Sequence, residues 1–350
     1  MMQFMDGCEH YQTAAQMLTK WNASIPTVTP TTSGRNGRGL SLVGGGVEKS
    51  LTHQNGWVFG WAVNVQGGTF GFGSDYFYQG SHAGETTLFS IYGETDGSIS
   101  LYAGNGRHNL IQNSGSLGKF LKPGIWYWFD CKYAISGSTN MGITATFRVN
   151  TEIWATGSAN TDINVNSLLL QVATTNYHSF RAAGTNALFD DFAVADMSGL
   201  GSVNDFFGDV AIGALFPDAD DHIDWSLFPL GSPNSFSLVN SQFPDDDTTY
   251  INSSTVGNVD NFGWQPTVVP PGGSIVAVHY GVYARKDAEG SRSFVTLIGP
   301  TGSPAFTSNP WFVGDTYAYY FQAFDQDPQT GIPWTQTGFN GTKFGVKLNS

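Results

Sequence analysis

Carboxylates close together in the chain are the first residues to test for chemistry. Hydrolysing a glycosidic bond takes two of them about 5–10 Å apart, one as acid and one as nucleophile or base. Glu94-Thr95-Asp96-Gly97-Ser98 offers two at alternate positions, but the glycine marks a turn, and the pair reads as a solvated hairpin tip. Asp190 and Asp191 are adjacent in the strand-like Phe189-Asp190-Asp191-Phe192-Ala193-Val194, where alternation sends neighbours to opposite faces. Asp245-Asp246-Asp247 follows Pro244 and reads as a hydrogen-bonded turn. For a metal, the best candidate is Asp218-Ala219-Asp220-Asp221-His222-Ile223-Asp224. Oxygen ligands from Asp218, Asp220, Asp221 and Asp224 suit calcium. Ile223 stands where an EF-hand loop needs glycine and Pro229 where it needs glutamate. The stretch is therefore a looser calcium site or a plain acidic loop, and no other cofactor is implied.

Nucleophiles and metal-binding histidines are no more promising. The seven histidines show no H-x-H or H-E-x-x-H spacing, there is no G-x-S-x-G elbow, and neither cysteine sits in a nucleophile motif. Cys8 and Cys131 lie beside aromatics in strand-like runs, which suits buried thiols, with a disulfide between them as the alternative. No catalytic constellation survives, and a non-enzymatic protein is expected. Binding is harder to exclude. Most of the many aromatics must be core, but Tyr76, Phe77 and Tyr78 fall in a Gly-flanked stretch that reads as a loop. They are the candidate ligand or partner contact.

Such residues need elements to position them, and composition says which. Of 350 residues only 12% are charged, while 14% are aromatic and 44 are glycine. Many aromatics and many turns describe short strands. The 15 Lys and Arg leave a net charge of −13, which opposes nucleic acid and an anionic membrane surface as partners. No run approaches the roughly 18 apolar residues of a membrane span, and the first residues lack the pattern of a signal peptide. One helix is expected, at residues 12–21. Strands are expected at 88–92 and 97–103 as a hairpin, at 126–133, at 143–149 and around 188–196. A second set is expected at 209–216, 274–284, 293–298 and 316–324. The Gly/Ser-rich residues 199–203 read as a linker between domains at 1–198 and 204–350. The fold class is all-β, two sandwiches or barrels.

Two resemblances add to this reading. The segments at residues 4–11 and Leu188-Phe189-Asp190-Asp191-Phe192-Ala193-Val194 resemble the first and last strands of a concanavalin A-like (laminin G-type) jelly roll. That likeness implies that the two strands pair. The whole chain resembles two-domain proteins encoded among the virion genes of tailed bacteriophages. The likeness rests on Asn204-Asp205-Phe206-Phe207-Gly208-Asp209, Asp246-Asp247-Thr248-Thr249-Tyr250, Ala284-Arg285-Lys286-Asp287 and Asp327-Pro328-Gln329-Thr330-Gly331. It implies a virion structural protein, such as a capsid decoration, head fibre or tail appendage, assembled in the host cytoplasm. It also implies other virion proteins as partners, a homo-oligomer, and docking through residues 204–350. A lectin-like or receptor-binding module that takes a host-surface glycan is the alternative.

Overall fold

The computed structural model describes residues 1–25, 28–52, 54–67, 76–82, 86–104, 107, 109–137, 141–161, 175–182, 185–199 and 201–350. Two compact units divide between Ile212 and Gly213.

The first unit is a jelly-roll β-sandwich. Its first sheet runs in the order β13 (Glu152–Asn160), β12 (Gly142–Val149), β11 (Trp126–Ser136), β6 (Gly56–Gly67), β15 (Asn186–Asp196), β4 (Gly39–Val43) and β3 (Val28–Thr31), with β1 (Met2–Asp6) also on β15. The second runs β10 (Asn109–Asn113), β9 (Ile99–Ala103), β8 (Thr86–Gly93), β7 (Tyr76–His82), β14 (Thr175–Arg181), β5 (Gly46–Thr52) and β2 (Ala23–Ile25). Alternation explains why these segments become strands. In β12, Ile143, Ala145, Phe147 and Val149 are buried, while Thr144 and Thr146 face out and pair with Ser158 and Thr156 at 2.8 and 2.7 Å. The expected closure is present, since β1 pairs antiparallel with β15 from Met2 opposite Ala195 to Asp6 opposite Phe192. Between the sheets lies an aromatic core. Trp61 meets Phe129 and Phe180 edge-on, with ring centroids 5.2 Å away in each case.

Glycine matters at one central point. Gly60 sits in β6 between Asp130 and Ala193, and a Cβ there would lie 2.4 Å from the Trp128 ring. Gly60→Ala should therefore cost about 1–3 kcal/mol through overpacking. A denaturant midpoint unchanged from wild type would show that Trp128 yields freely.

Only Ala14–Met17 of the expected helix forms, as α1. Its start is a capping box, with Gln16 N donating to Thr13 Oγ1 at 3.2 Å. The chain leaves the helical path because Asn22 N donates to Glu48 O across to β5. Cys8 and Cys131 are both buried free thiols.

The division at 212/213 lies beyond residues 199–203, of which Leu200 falls outside the described residues. Residues 203–212 are strapped to the first sheet instead. The expected strand at 209–216 does not form, because Gly208 N donates to Asp130 Oδ2 at 2.9 Å and Ile212 N to Asp191 Oδ1 at 2.7 Å. Those donors are not free to make a ladder.

The second unit is smaller and again β. Its main sheet is β16 (Pro217–Ile223), β19 (Val259–Trp264), β25 (Phe344–Leu348), β21 (Ser293–Ile298) and β22 (Phe306–Thr307), with β23 (Trp311–Phe312) also on β21. Two pairs stand apart, β17 (Ser226–Phe228) with β18 (Tyr250–Asn252) and β20 (Val278–Ala284) with β24 (Ala318–Phe324). Tyr280, Ile298, Phe324, Trp334, Phe339 and Phe344 form its core. Among the described residues no helix is long and apolar enough to cross a membrane.

Candidate functional site

The strap decides which outer face of the sandwich is covered. On the first sheet, Lys132 Nζ pairs with Asp205 at 3.2 Å and the Arg148 guanidinium lies 4.5 Å over the Phe206 ring. Phe207 is buried, and Arg35 holds Asp209 and the Val210 carbonyl. The outer face of the second sheet is a different surface, built by β5, β7, β14, β8 and β9.

Strand β14 sets its pattern. Phe180 and His178 point inward, so Tyr177, Ser179 and Arg181 point outward. Cross-strand partners share a face, which places Glu48 and Gln79 beside Ser179, and Ser50 and Ser81 beside Tyr177. Gln79 is followed across β8 and β9 by Ser90 and Tyr102, and Tyr76 by Tyr92 and Ser100. Glu48, Ser50, Tyr76, Gln79, Ser81, Tyr177 and Arg181 are half-buried, whereas Ser90, Tyr92, Ser100 and Tyr102 form a buried floor.

These side chains interlock. The Arg181 guanidinium lies 5.0 Å over the Tyr76 ring, and Tyr76 meets Tyr92 edge-on at 6.2 Å. Arg107 sits 4.6 Å over Tyr92 and pairs with Glu94 at 2.7 Å. Ser179 Oγ donates to Glu48 Oε2 at 2.8 Å and is hydrogen-bonded to the Tyr76 hydroxyl. Burial pushes the Tyr76 phenol above its ordinary pKa, against Arg181 and Ser179, which pull it down. Tyr76 is thus a neutral phenol at physiological pH, with a cation on its ring and a serine–carboxylate pair at its oxygen.

Of the predicted contact residues, Tyr76 alone joins this face. The segment is a strand, not a loop, and a bulge between Tyr76 and Tyr78 turns the next two side chains inward. Phe77 packs on Phe129, and Tyr78 stacks on Phe59 with its hydroxyl 2.7 Å from His178 Nδ1. Both are fully buried.

The four candidate calcium ligands also lie in a strand or at its end, and the structure gives each a separate surrounding. Asp220 accepts from Ser235 N and Phe236 N at the start of the short helix α2 (Phe236–Val239), at 3.0 and 2.7 Å. Asp221 accepts from Asn261 Nδ2 at 3.3 Å, and Asp224 accepts from Val259 N at 3.0 Å beside His222. Asp218 is exposed at the start of β16. Among the described residues no group of three or more His, Cys, Asp or Glu is arranged to hold a metal ion.

Asp190 and Asp191 correct the alternation argument. A bulge with Asp191 at φ +53° turns both carboxylates to one loop, where Asp190 Oδ2 accepts from Arg35 N at 2.8 Å and Asp191 Oδ2 from Asn36 Nδ2 at 3.1 Å. Glu94 pairs with Arg107, and Asp245 closes its turn through Thr248 N and Thr249 Oγ1.

Sequence reasoning missed Glu48, Gln79, Ser179 and Arg181. The available signal was the alternation in Tyr177-His178-Ser179-Phe180-Arg181. It is masked because His178 looks polar yet is fully buried, and burial drives its pKa down to about 3, leaving it neutral.

No family model matches the chain, and no curated protein does. Solved structures do match. The marine PL-14 alginate lyase from Aplysia kurodai is 13% identical with a TM-score of 0.41, covering 56% of this chain and 99% of its own. The cellulose induced protein Cip1 is 15% identical with a TM-score of 0.41, covering 57% and 100%. Endo-beta-1,4-glucuronan lyase from the fungus Trichoderma reesei is 9% identical with a TM-score of 0.34, covering 59% and 98%. At these identities the likeness is one of β-sandwich fold. The expectation of a non-enzymatic virion component finds no support among them: two of the three are named as polysaccharide lyases and none as a phage particle protein.

Proposed function

We propose that the first unit is carbohydrate-active and takes a saccharide chain on the outer face of its second sheet. The observation that carries this reading is the set of half-buried side chains from three neighbouring strands, Tyr76 and Gln79 with Tyr177, Arg181 and Glu48. A sugar ring presents apolar C–H faces and a rim of hydroxyls. Tyrosine rings offer partners for the first, and amide, carboxylate and guanidinium groups for the second. Tyr76, with its oxygen tied to Ser179 and through that serine to Glu48, is the group placed for proton transfer.

The test is a panel of neutral and uronate-containing polysaccharides, scored for retardation of the full chain in affinity gels and for release of reducing or unsaturated ends. At least one polymer should be bound and shortened. Folded protein that neither binds nor shortens any of them sinks the proposal.

A further inference from the structure

Residues 203–212 end their backbone donors on carboxylates enclosed by the first unit. Gly208 N donates to Asp130 Oδ2 at 2.9 Å, the Phe207 N–H also bonds Asp130, and Ile212 N donates to Asp191 Oδ1 at 2.7 Å. Asp130 and Asp191 are both fully buried. An ionised carboxylate in such a place bears a desolvation cost that neutral N–H donors only partly offset. Protonation removes that cost and leaves an oxygen to accept the strap's N–H groups. With the strap lifted, Asp130 would meet water and ionise freely.

We propose that residues 203–212 form a pH-governed strap over the first sheet, closed in acid and released as pH rises, with Asp130 as the governing group. The groups facing Asp130 fit this role. Arg148 comes from β12, and the Trp128 indole N–H from its own strand; the Cys131 thiol next in the chain turns to the opposite face. From the strap come the Phe207 and Gly208 N–H groups, while Asp205 is spent on Lys132 and Asp209 on Arg35. Burial raises the Asp130 pKa to about 7, outweighing the Gly208 N–H, Arg148, the Phe207 N–H and Trp128, which lower it. Asp191 moves the same way, raised by burial and by Glu9 against Ile212 N, Arg35 and Asn36.

The sign follows from linkage. The closed form holds its proton up to a higher pH than the open form, whose carboxylate titrates near 4, so closure is strongest below about pH 4 and weakens as pH rises through about 7. Release uncovers Trp128, Asp130 and Arg148 on the outer face of the first sheet.

Hydrogen exchange on the full chain, corrected for intrinsic rates, reads this directly. The opening constant reported by the Gly208 and Ile212 amides should rise about tenfold between pH 6 and pH 8, and should exceed at both pH values that of the Phe147 amide of β12, which opens only with the whole unit. In Asp130→Asn, which keeps an acceptor and loses the titration, most of that rise should vanish. A flat wild-type profile at Gly208 overturns the proposal, as does an undiminished rise in Asp130→Asn. If the variant does not fold, the wild type still decides: Gly208 and Ile212 opening no more often than Phe147 at either pH means that no strap opens by itself, and overturns the proposal.

Discussion

Asp6→Ala should lower the stability of the first unit by about 3–5 kcal/mol, the cost of stripping one partner from a buried ion pair. Asp6 ends β1 with Lys20 Nζ 3.4 Å from its Oδ1, and both side chains are almost wholly enclosed. Its other bonds are also internal. Oδ2 accepts from the Tyr11 hydroxyl and from Trp21 Nε1, each at 2.7 Å, and Oδ1 accepts from Cys8 N at 2.9 Å. Alanine would take the acceptor from all three donors and the counter-charge from Lys20. A second buried lysine, Lys49, sits 5.0 Å over the Phe4 ring and donates to the Lys20 carbonyl, so positive charge is already concentrated there. Asp6→Asn, which keeps an acceptor but not the charge, should fall between alanine and wild type. Urea unfolding followed by tryptophan fluorescence measures the series, and a loss under about 1 kcal/mol for alanine would contradict the account.

Acid should expose the same dependence. Burial pushes the Asp6 pKa up, but Lys20, His10, Tyr11 and the Cys8 N–H together pull it down to about 2. A carboxylate depressed in the folded state contributes stability that is present above its unfolded pKa near 4 and lost as pH falls through about 2. Asp130, Asp190 and Asp191 are raised by burial and act oppositely, so stability declines as pH rises from about 4. The first unit should be most stable in mild acid.

How much of this was legible in the sequence depends on the range of the interaction. β12 and the β8–β9 hairpin were readable because period-2 alternation and the turn at Asp96-Gly97 are local. The pairing of β1 with β15 followed from the jelly-roll likeness. What local pattern could not show are places where one residue leaves its register. The bulge at Phe77 converts a run of three aromatics into one outward and two inward rings, and the αL backbone at Asp191 gathers two carboxylates that alternation would separate. Residues 209–216 look like a strand, yet the donors of Gly208 and Ile212 belong to carboxylates 78 and 21 residues back in the chain. The candidate site has the same character. Tyr76 was accessible as an aromatic in a glycine-flanked stretch. Glu48 and Arg181 join it only through the antiparallel register of β5 and β7 on β14, strands far apart in the chain.

That long-range assembly makes the second large effect specific to one ring. Tyr76→Ala should weaken saccharide binding at least about tenfold, or about 1.4 kcal/mol, because it removes the outward ring between Arg181 and Tyr92. Stability should fall much less than for a core aromatic, since Tyr76 is only half-buried and lies outside the inter-sheet core. Tyr78→Ala, two residues on, should do the reverse and act on stability through the stack with Phe59 and the bond to His178. Tyr76→Phe then separates the two tasks assigned to the residue. It keeps the ring against the sugar and loses the oxygen held by Ser179, so binding should persist while any bond-breaking activity disappears. If Tyr76→Phe lost binding as fully as alanine, the hydroxyl and not the ring would be the recognition element. If neither variant changed binding to a polymer that the wild type retains, the saccharide would lie on another face of the molecule.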